Sequence, residues 1–319
     1  TLAIGLNLKE GEIPLCCNFV TLQASHNDMV MKDYTADHLS SEESINYLNA
    51  LQTQISDFGV TFYPGVGPHN IMVMNSKPFT IRLTSPNELI GEGIRKFMPV
   101  DAEFKDLIYI INQAQIILHN HPVNKKRKLE SLDYANSIWL WGNGKNGTLP
   151  SFKKKYGKSG SLISASLLFQ GMAKSADMRV VKVEGASGFA ETNYENKVKA
   201  AIQELASQEI VYLHVAGIED ISLKGNIDDK IITIEDIDSK VIGPLLKETF
   251  SNNEIKMMVV VNHMNSAVDV KYGKDRVPFV MSGKNDTNLV NNFDENLLNV
   301  GNNHFKSGSD LMSMFFDLN

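Results

Sequence analysis

Apolar and polar positions follow two rhythms along this chain. In the first 130 residues strand-like and helix-like patterns are mixed. "EIPLCCNFVTL" (12–22) predicts a strand, and "VTFYPGVGPHNIMVM" (60–74) predicts strand, turn, strand, with Gly65, Gly67 and Pro68 breaking the run. "SSEESINYLNALQTQI" (40–55) predicts a helix that Ser40 or Ser41 can cap, with Glu43 near the capping-box position. "DAEFKDLIYIINQAQIILHNH" (101–121) predicts a long amphipathic helix stopped by Pro122.

From "SIWLWGNG" (137–144) onward the rhythm becomes regular. Strand-like "MRVVKVEGA" (178–186), "EIVYLHVAG" (209–217), "IKMMVVVNH" (255–263) and "VPFVMSG" (277–283) are separated by helical stretches. "SLISASLLFQGMAKSA" (161–176) is expected as a helix or a strand-helix junction, and helices are expected in "YENKVKAAIQELAS" (194–207) and "DDKIITIEDIDSKVIGPLLKETF" (228–250). Such alternation predicts parallel βαβ units with helices on both sheet faces. One shared sheet is expected for "IWLW", "VYLHV" and "MMVVV".

Composition narrows the function classes. The chain has 319 residues, 21% of them charged, a net charge of −6 and a pI near 5.8. No basic footprint for nucleic acid is present. No apolar run reaches the roughly 18 residues that cross a bilayer as a helix. The two cysteines, Cys16 and Cys17, are adjacent, which points to an intracellular setting, cytoplasm or an organelle such as the mitochondrion, over secretion. The chain opens on Thr1 and not on Met, which fits a further upstream segment.

Functional side chains in α/β proteins gather where parallel strands end. The strand in "MMVVVNH" ends on Asn262-His263, where a metal site would want Asp-His. Together "CNFVTL" (17–22), "HPVNKKR" (121–127), "ANSIWLWGNG" (135–144), "LPSFKKKYG" (149–157), "TNYENK" (192–197), "IEDIDSKVIGPLL" (234–246) and "VPF" (277–279) resemble a known family. It is the archaeal-type, cofactor-independent phosphoglycerate mutases of the alkaline phosphatase superfamily. The resemblance implies an α/β fold. A mostly parallel, alkaline-phosphatase-like sheet is flanked by helices, with an inserted α+β cap domain. The cap is expected over 1–130, with 1–10 as a connecting segment, and the C-terminal part of the core over 131–319.

It also implies a serine nucleophile and two divalent metals, typically manganese, that clamp the transferring phosphoryl group. Position by position, the implied ligands are altered. Glu219 stands at an Asp position and Leu223 at a His position. Asp220 would replace the acid only after a one-residue slip. Asn262 precedes the retained His263, and Gly273 falls where a further His is expected. The implied substrate positions change too. Cys16 and His69 replace arginines, Asn87 and Glu88 replace His and Asp, and Gln170 replaces lysine. The family's first core strand, first metal Asp and serine have no counterpart after Thr1.

These changes predict a non-catalytic, degenerate mutase-like protein without metal, kept as a structural subunit with a stable protein partner or larger complex. The alternative is an active, metal-dependent 2,3-bisphosphoglycerate-independent mutase or phosphatase, with two manganese or other divalent ions, completed by an upstream segment.

Overall fold

The computed structural model describes residues 1–75, 83–99, 101, 104–144, 147, 149–252, 254–282, 292–300 and 303–317. The chain is a mixed α/β protein of two units, Thr1–Thr148 and Leu149–Asn319.

The first unit is built on one long strand, β1 (Glu12–Ser25). Strand β2 (Asp28–Asp33) folds back on its C-terminal end. After helix α1 (Ser41–Ile55), the hairpin β3 (Val60–Val66) and β4 (His69–Asn75) adds β4 beside residues 12–18 of β1. Helices α2 (Lys105–His119) and α3 (Pro122–Leu129) follow, and β5 (Ser137–Trp141) pairs antiparallel with residues 16–20 of β1. Alternation along β1 buries Leu15, Cys17 and Phe19 fully against Tyr47, Leu51, Ile110 and Ala114 of the two longer helices. The capping box of α1 forms as its sequence predicts: Glu43 N–H donates to Ser40 Oγ, and Ser40 N–H donates to a Glu43 carboxylate oxygen.

Two polar side chains of α3 tie this unit together from inside. Asn124 is fully buried, donates to the carbonyls of Leu118 and Ala135, and accepts the Tyr47 hydroxyl. Arg127 is 3% exposed. Its guanidinium donates to Glu43 at 3.0 Å and to the carbonyls of Ala36, Asp37 and Asp133 at 2.8–2.9 Å. Residues 36–38 all have left-handed backbone, with φ of 49°, 55° and 53°. Arg127 pins two of their carbonyls, which offsets the steric cost of that conformation.

The second unit carries a parallel three-stranded sheet. After α4 (Phe152–Tyr156) come β6 (Gly160–Ile163), α5 (Leu167–Ser175), β7 (Arg179–Val181), α6 (Tyr194–Leu205) and β8 (Ile210–Leu213), in the order β7-β6-β8. Next are α7 (Gly217–Leu223), α8 (Ile227–Ile237), a π-helical turn over Asp238–Ile242, and α9 (Gly243–Ser251). The single helix expected over 228–250 is thus interrupted before Gly243-Pro244, where proline lacks the N–H that continues the ladder. Tyr194, Val198 and Val241 form a small core with Leu213 and Leu245. Strands β9 (Met257–Val260), β10 (Asn265–Ser266), β11 (Lys271–Tyr272) and β12 (Phe279–Ser282) form two antiparallel pairs, β9 with β12 and β10 with β11. Short α10 (Leu297–Val300) and α11 (Gly308–Asp317) complete the described chain.

The expectation of one sheet is corrected. "IWLW" lies in β5 beside β1, "VYLHV" contributes β8 to the parallel sheet, and "MMVVV" contributes β9 to a separate antiparallel pair. The boundary between units falls after residue 148 and not at 130, because β5 completes the first unit's sheet.

Candidate functional site

The parallel strands of the second unit end in polar residues. Gly160–Ile163 runs in register with Ile210–Leu213, so the next residue on each strand, Ser164 and His214, stand side by side. Ser164 Oγ lies 3.0 Å from His214 Nδ1. His214 N–H donates to the Ile163 carbonyl at 2.9 Å, which fixes the backbone beneath the ring. The Phe169 ring packs on the imidazole, with centroids 4.4 Å apart. Ser164 Oγ also accepts the Ser166 N–H at 3.1 Å, which holds the hydroxyl against the imidazole. Gln170, the residue in place of the implied lysine, donates from Nε2 to the Ser164 carbonyl at 2.8 Å.

Lys197 of α6 lies within electrostatic reach of the same histidine. Its side chain is 1% exposed, and Nζ donates to the Ser187 carbonyl at 3.1 Å. Burial lowers its pKa to about 8. The His214 pKa is also lowered, first by burial and then by the Lys197 charge, with Glu219 acting in the opposite sense. His214 is therefore held neutral, able to accept a proton at one nitrogen and donate at the other.

The residues expected to relate to a metal cluster on the following elements. Glu219 and Asp220 lie in the first turn of α7. Gly217 opens that helix against the chain at 189–190, where a Cβ would stand 2.8 Å from Ala190 Cα. The Tyr272 hydroxyl of β11 donates to Glu219 Oε1. The Tyr272 ring lies edge-on to His263, at 4.9 Å between centroids. Asn262 Nδ2 is 3.1 Å from His263 Nδ1. Asp220 is ion-paired with Lys224 at 3.5 Å, and Leu223 is buried. A Cβ at Gly273 would stand 2.9–3.0 Å from Met264 side-chain atoms, so a larger residue there requires Met264 to move.

This donor set does not fit a two-metal centre. Leu223 and Gly273 offer no ligand atom, and the amide of Asn262 is neutral. A Glu219 oxygen is bonded to tyrosine. His263 Nδ1 faces the Asn262 amide nitrogen. Among the described residues no three His, Cys, Asp or Glu side chains converge as a metal site.

The implied substrate positions of the first unit lie on the β1–β4 ladder and in the turn at Pro86–Leu89. Cys16, Cys17 and Asn18 stand opposite Ile71, Asn70 and His69 in the β1–β4 ladder. Asn18 Nδ2 is 2.9 Å from His69 Nδ1, and Asn18 Oδ1 accepts the Trp141 indole N–H at 2.9 Å. Asn87 sits in the 3₁₀ turn Pro86–Leu89 and is bonded to Ser85 Oγ, while Glu88 faces solvent. Burial raises the thiol pKa of both Cys16 and Cys17.

Sequence reasoning singled out Glu219, Asn262, His263 and Gln170. It did not single out Ser164, Lys197, His214 or Tyr272. A readable signal for the first two was their place, one residue beyond a strand and inside "TNYENK".

Comparison with known proteins agrees with these motifs. The family profile of 2,3-bisphosphoglycerate-independent phosphoglycerate mutase matches residues 1–124. A probable 2,3-bisphosphoglycerate-independent phosphoglycerate mutase of Geobacter sulfurreducens is 33% identical over 317 residues, 99% of this chain and 79% of that protein. The Methanosarcina mazei 2,3-bisphosphoglycerate-independent phosphoglycerate mutase is 32% identical over 316 residues, 98% of this chain and 79% of that protein. A solved Pyrococcus horikoshii protein superposes with a TM-score of 0.61 at 19% identity, covering 88% of this chain and 66% of its own, which shows a shared fold. These matches overturn the expectation of a non-catalytic structural subunit, because the chain aligns nearly end to end with proteins named as mutases. No described helix is long and apolar enough to cross a membrane. At this identity, over nearly its whole length, the chain belongs to the 2,3-bisphosphoglycerate-independent phosphoglycerate mutase family.

Proposed function

We propose that the protein carrying this chain interconverts phosphoglycerates by phosphoryl transfer without 2,3-bisphosphoglycerate. The fold would be of the alkaline phosphatase type, the second unit contributing to the core and the first serving as cap. The observation that carries this reading is the identity of 32–33% across 98–99% of the chain, spanning both units, with proteins named for that reaction.

The second unit's own residues support chemistry at the strand ends. A neutral His214 hydrogen-bonded to Ser164 can take up a proton at its unprotonated ring nitrogen and return it. The buried ammonium of Lys197 adds positive potential where a substrate with phosphate and carboxylate groups would be favoured. Gln170 fixes the carbonyl of Ser164 and supplies no charge. A pair of divalent ions would stabilise the transferring phosphoryl group. The residues around Tyr272 do not fit such a pair, so no step is assigned to it.

The test is conversion of 3-phosphoglycerate to 2-phosphoglycerate by the full protein, free of 2,3-bisphosphoglycerate and read through enolase. Turnover is expected, with His214→Gln lowering it about 10²-fold or more, the usual share of a positioned acid–base group. A correctly folded full protein without turnover would refute the proposal.

A further inference from the structure

Three side chains that carry ligand-type atoms, Glu219, Asn262 and His263, converge from α7 and from the loop after β9. One aromatic residue stands among them. Tyr272 reaches this place because β11 pairs with β10, which sets Asn265 opposite Tyr272. Asn265 Nδ2 in turn donates to the Glu219 main-chain carbonyl at 3.4 Å, so β10 and β11 grip α7 from two points. The phenol meets the carboxylate with its hydroxyl and the imidazole with its ring.

We propose that Tyr272 is a built-in neutral occupant of this place, joining Glu219 to His263 where a divalent cation would otherwise need both. A cation here would compete with the tyrosine for Glu219 Oε1 and with the Asn262 amide for His263 Nδ1. It would receive in exchange one carboxylate and one imidazole, too few ligands for tight binding. The glycine at 273 keeps the arrangement closed. Its lack of a side chain lets Met264 pack against the turn. The phenol thus takes over a structural share of what an ion does, holding a helix start and a strand-end loop together without charge.

The test uses the full protein and Co²⁺ as the probe, read by its visible ligand-field bands, and Mn²⁺ broadening of the His263 ring protons by NMR. Turnover is not read, so this result stands or falls separately from mutase activity. The native protein is expected to give no selective broadening at His263. Tyr272→His sets a third ligand between the existing two. It is expected to gain about tenfold or more in Co²⁺ affinity, the range one coordinating-shell partner commands. Those bands should vanish when His263→Ala is added. Selective Mn²⁺ broadening of His263 in the native protein would overturn the proposal. So would a folded Tyr272→His variant that stays colourless. Should that variant not fold, the native-protein broadening experiment decides alone.

Discussion

Replacing Lys197 by methionine tests the electrostatics of the strand-end site most directly. The native ammonium is 1% exposed and its pKa is about 8, against an ordinary 10.5, because burial disfavours the charged form. A shift of this size corresponds to about 3 kcal/mol. Its sign follows from proton binding. Below pH 8 both folded and unfolded states hold the proton, and the folded state carries the full penalty. Between pH 8 and 10.5 the folded state sheds the proton first, the unfolded state binds more, and stability rises with pH. Above 10.5 the contribution is flat. Lys197→Met fills much the same volume without charge. It forfeits the bond to the Ser187 carbonyl, worth about 1–2 kcal/mol, but that carbonyl still accepts the Thr192 hydroxyl. At pH 7 the variant should therefore be more stable by about 1–2 kcal/mol. Urea denaturation of both proteins from pH 6 to 11 supplies the measurement. The native protein should gain about 3 kcal/mol on the variant between pH 8 and 10.5. The ring-proton titration of His214 should move to higher pH in the variant, because a nearby positive charge is gone. Parallel stability curves across that window, with an unmoved His214, would refute the reasoning.

Three further outcomes are expected. Arg127→Met removes the cation beside Glu43 and the donor to the carbonyls of Ala36, Asp37 and Asp133, and should cost about 3–5 kcal/mol in thermal or urea unfolding; a loss below about 1 kcal/mol would show the network to be dispensable. The Glu43 pKa is lowered. Burial works to raise it, but the bonds from Ser40 and Arg127 prevail. Its stabilisation is therefore present above the unfolded carboxyl pKa and lost as pH falls through the folded one, and Glu43→Gln should flatten that acid limb. Gly217→Ala pushes a methyl group into the backbone at Ala190 and should destabilise by about 1–3 kcal/mol, with a displaced Glu219 visible as loss of the Tyr272 hydrogen bond by NMR.

Local elements were legible in the sequence because they depend on neighbours. Ser40 and Glu43 announce the start of α1, and Gly67-Pro68 announces the β3–β4 turn. Strand partners were not legible. "IWLW" reads as a strand from its run of apolar residues, but nothing in that run tells whether its mate is β1, more than 100 residues earlier, or β8. The Glu219, Asn262 and His263 positions could be found because unusual residues stand beside recognisable motifs. Tyr272 could not, since "KYGKDR" offers only the absence of a histidine, and the tyrosine's value lies in a bond to a helix 53 residues away. For Lys197 the sequence marks the motif but not the burial. A lysine in a helix is ordinarily solvated, and only the packing of α6 reveals that this one is enclosed.

The pairing of β5 with β1 bears on how the chain is made. Residues 16–20 lie in the middle of the first unit's sheet, but one of their edges waits for residues 137–141. A ribosome adding roughly 5–20 residues per second therefore leaves that edge of β1 open for several seconds. During that interval the half-built sheet offers a strand edge to other nascent chains. Synthesis conditions that slow elongation between α1 and β5 should thus lower the yield of soluble protein, although no residue of the finished fold has changed.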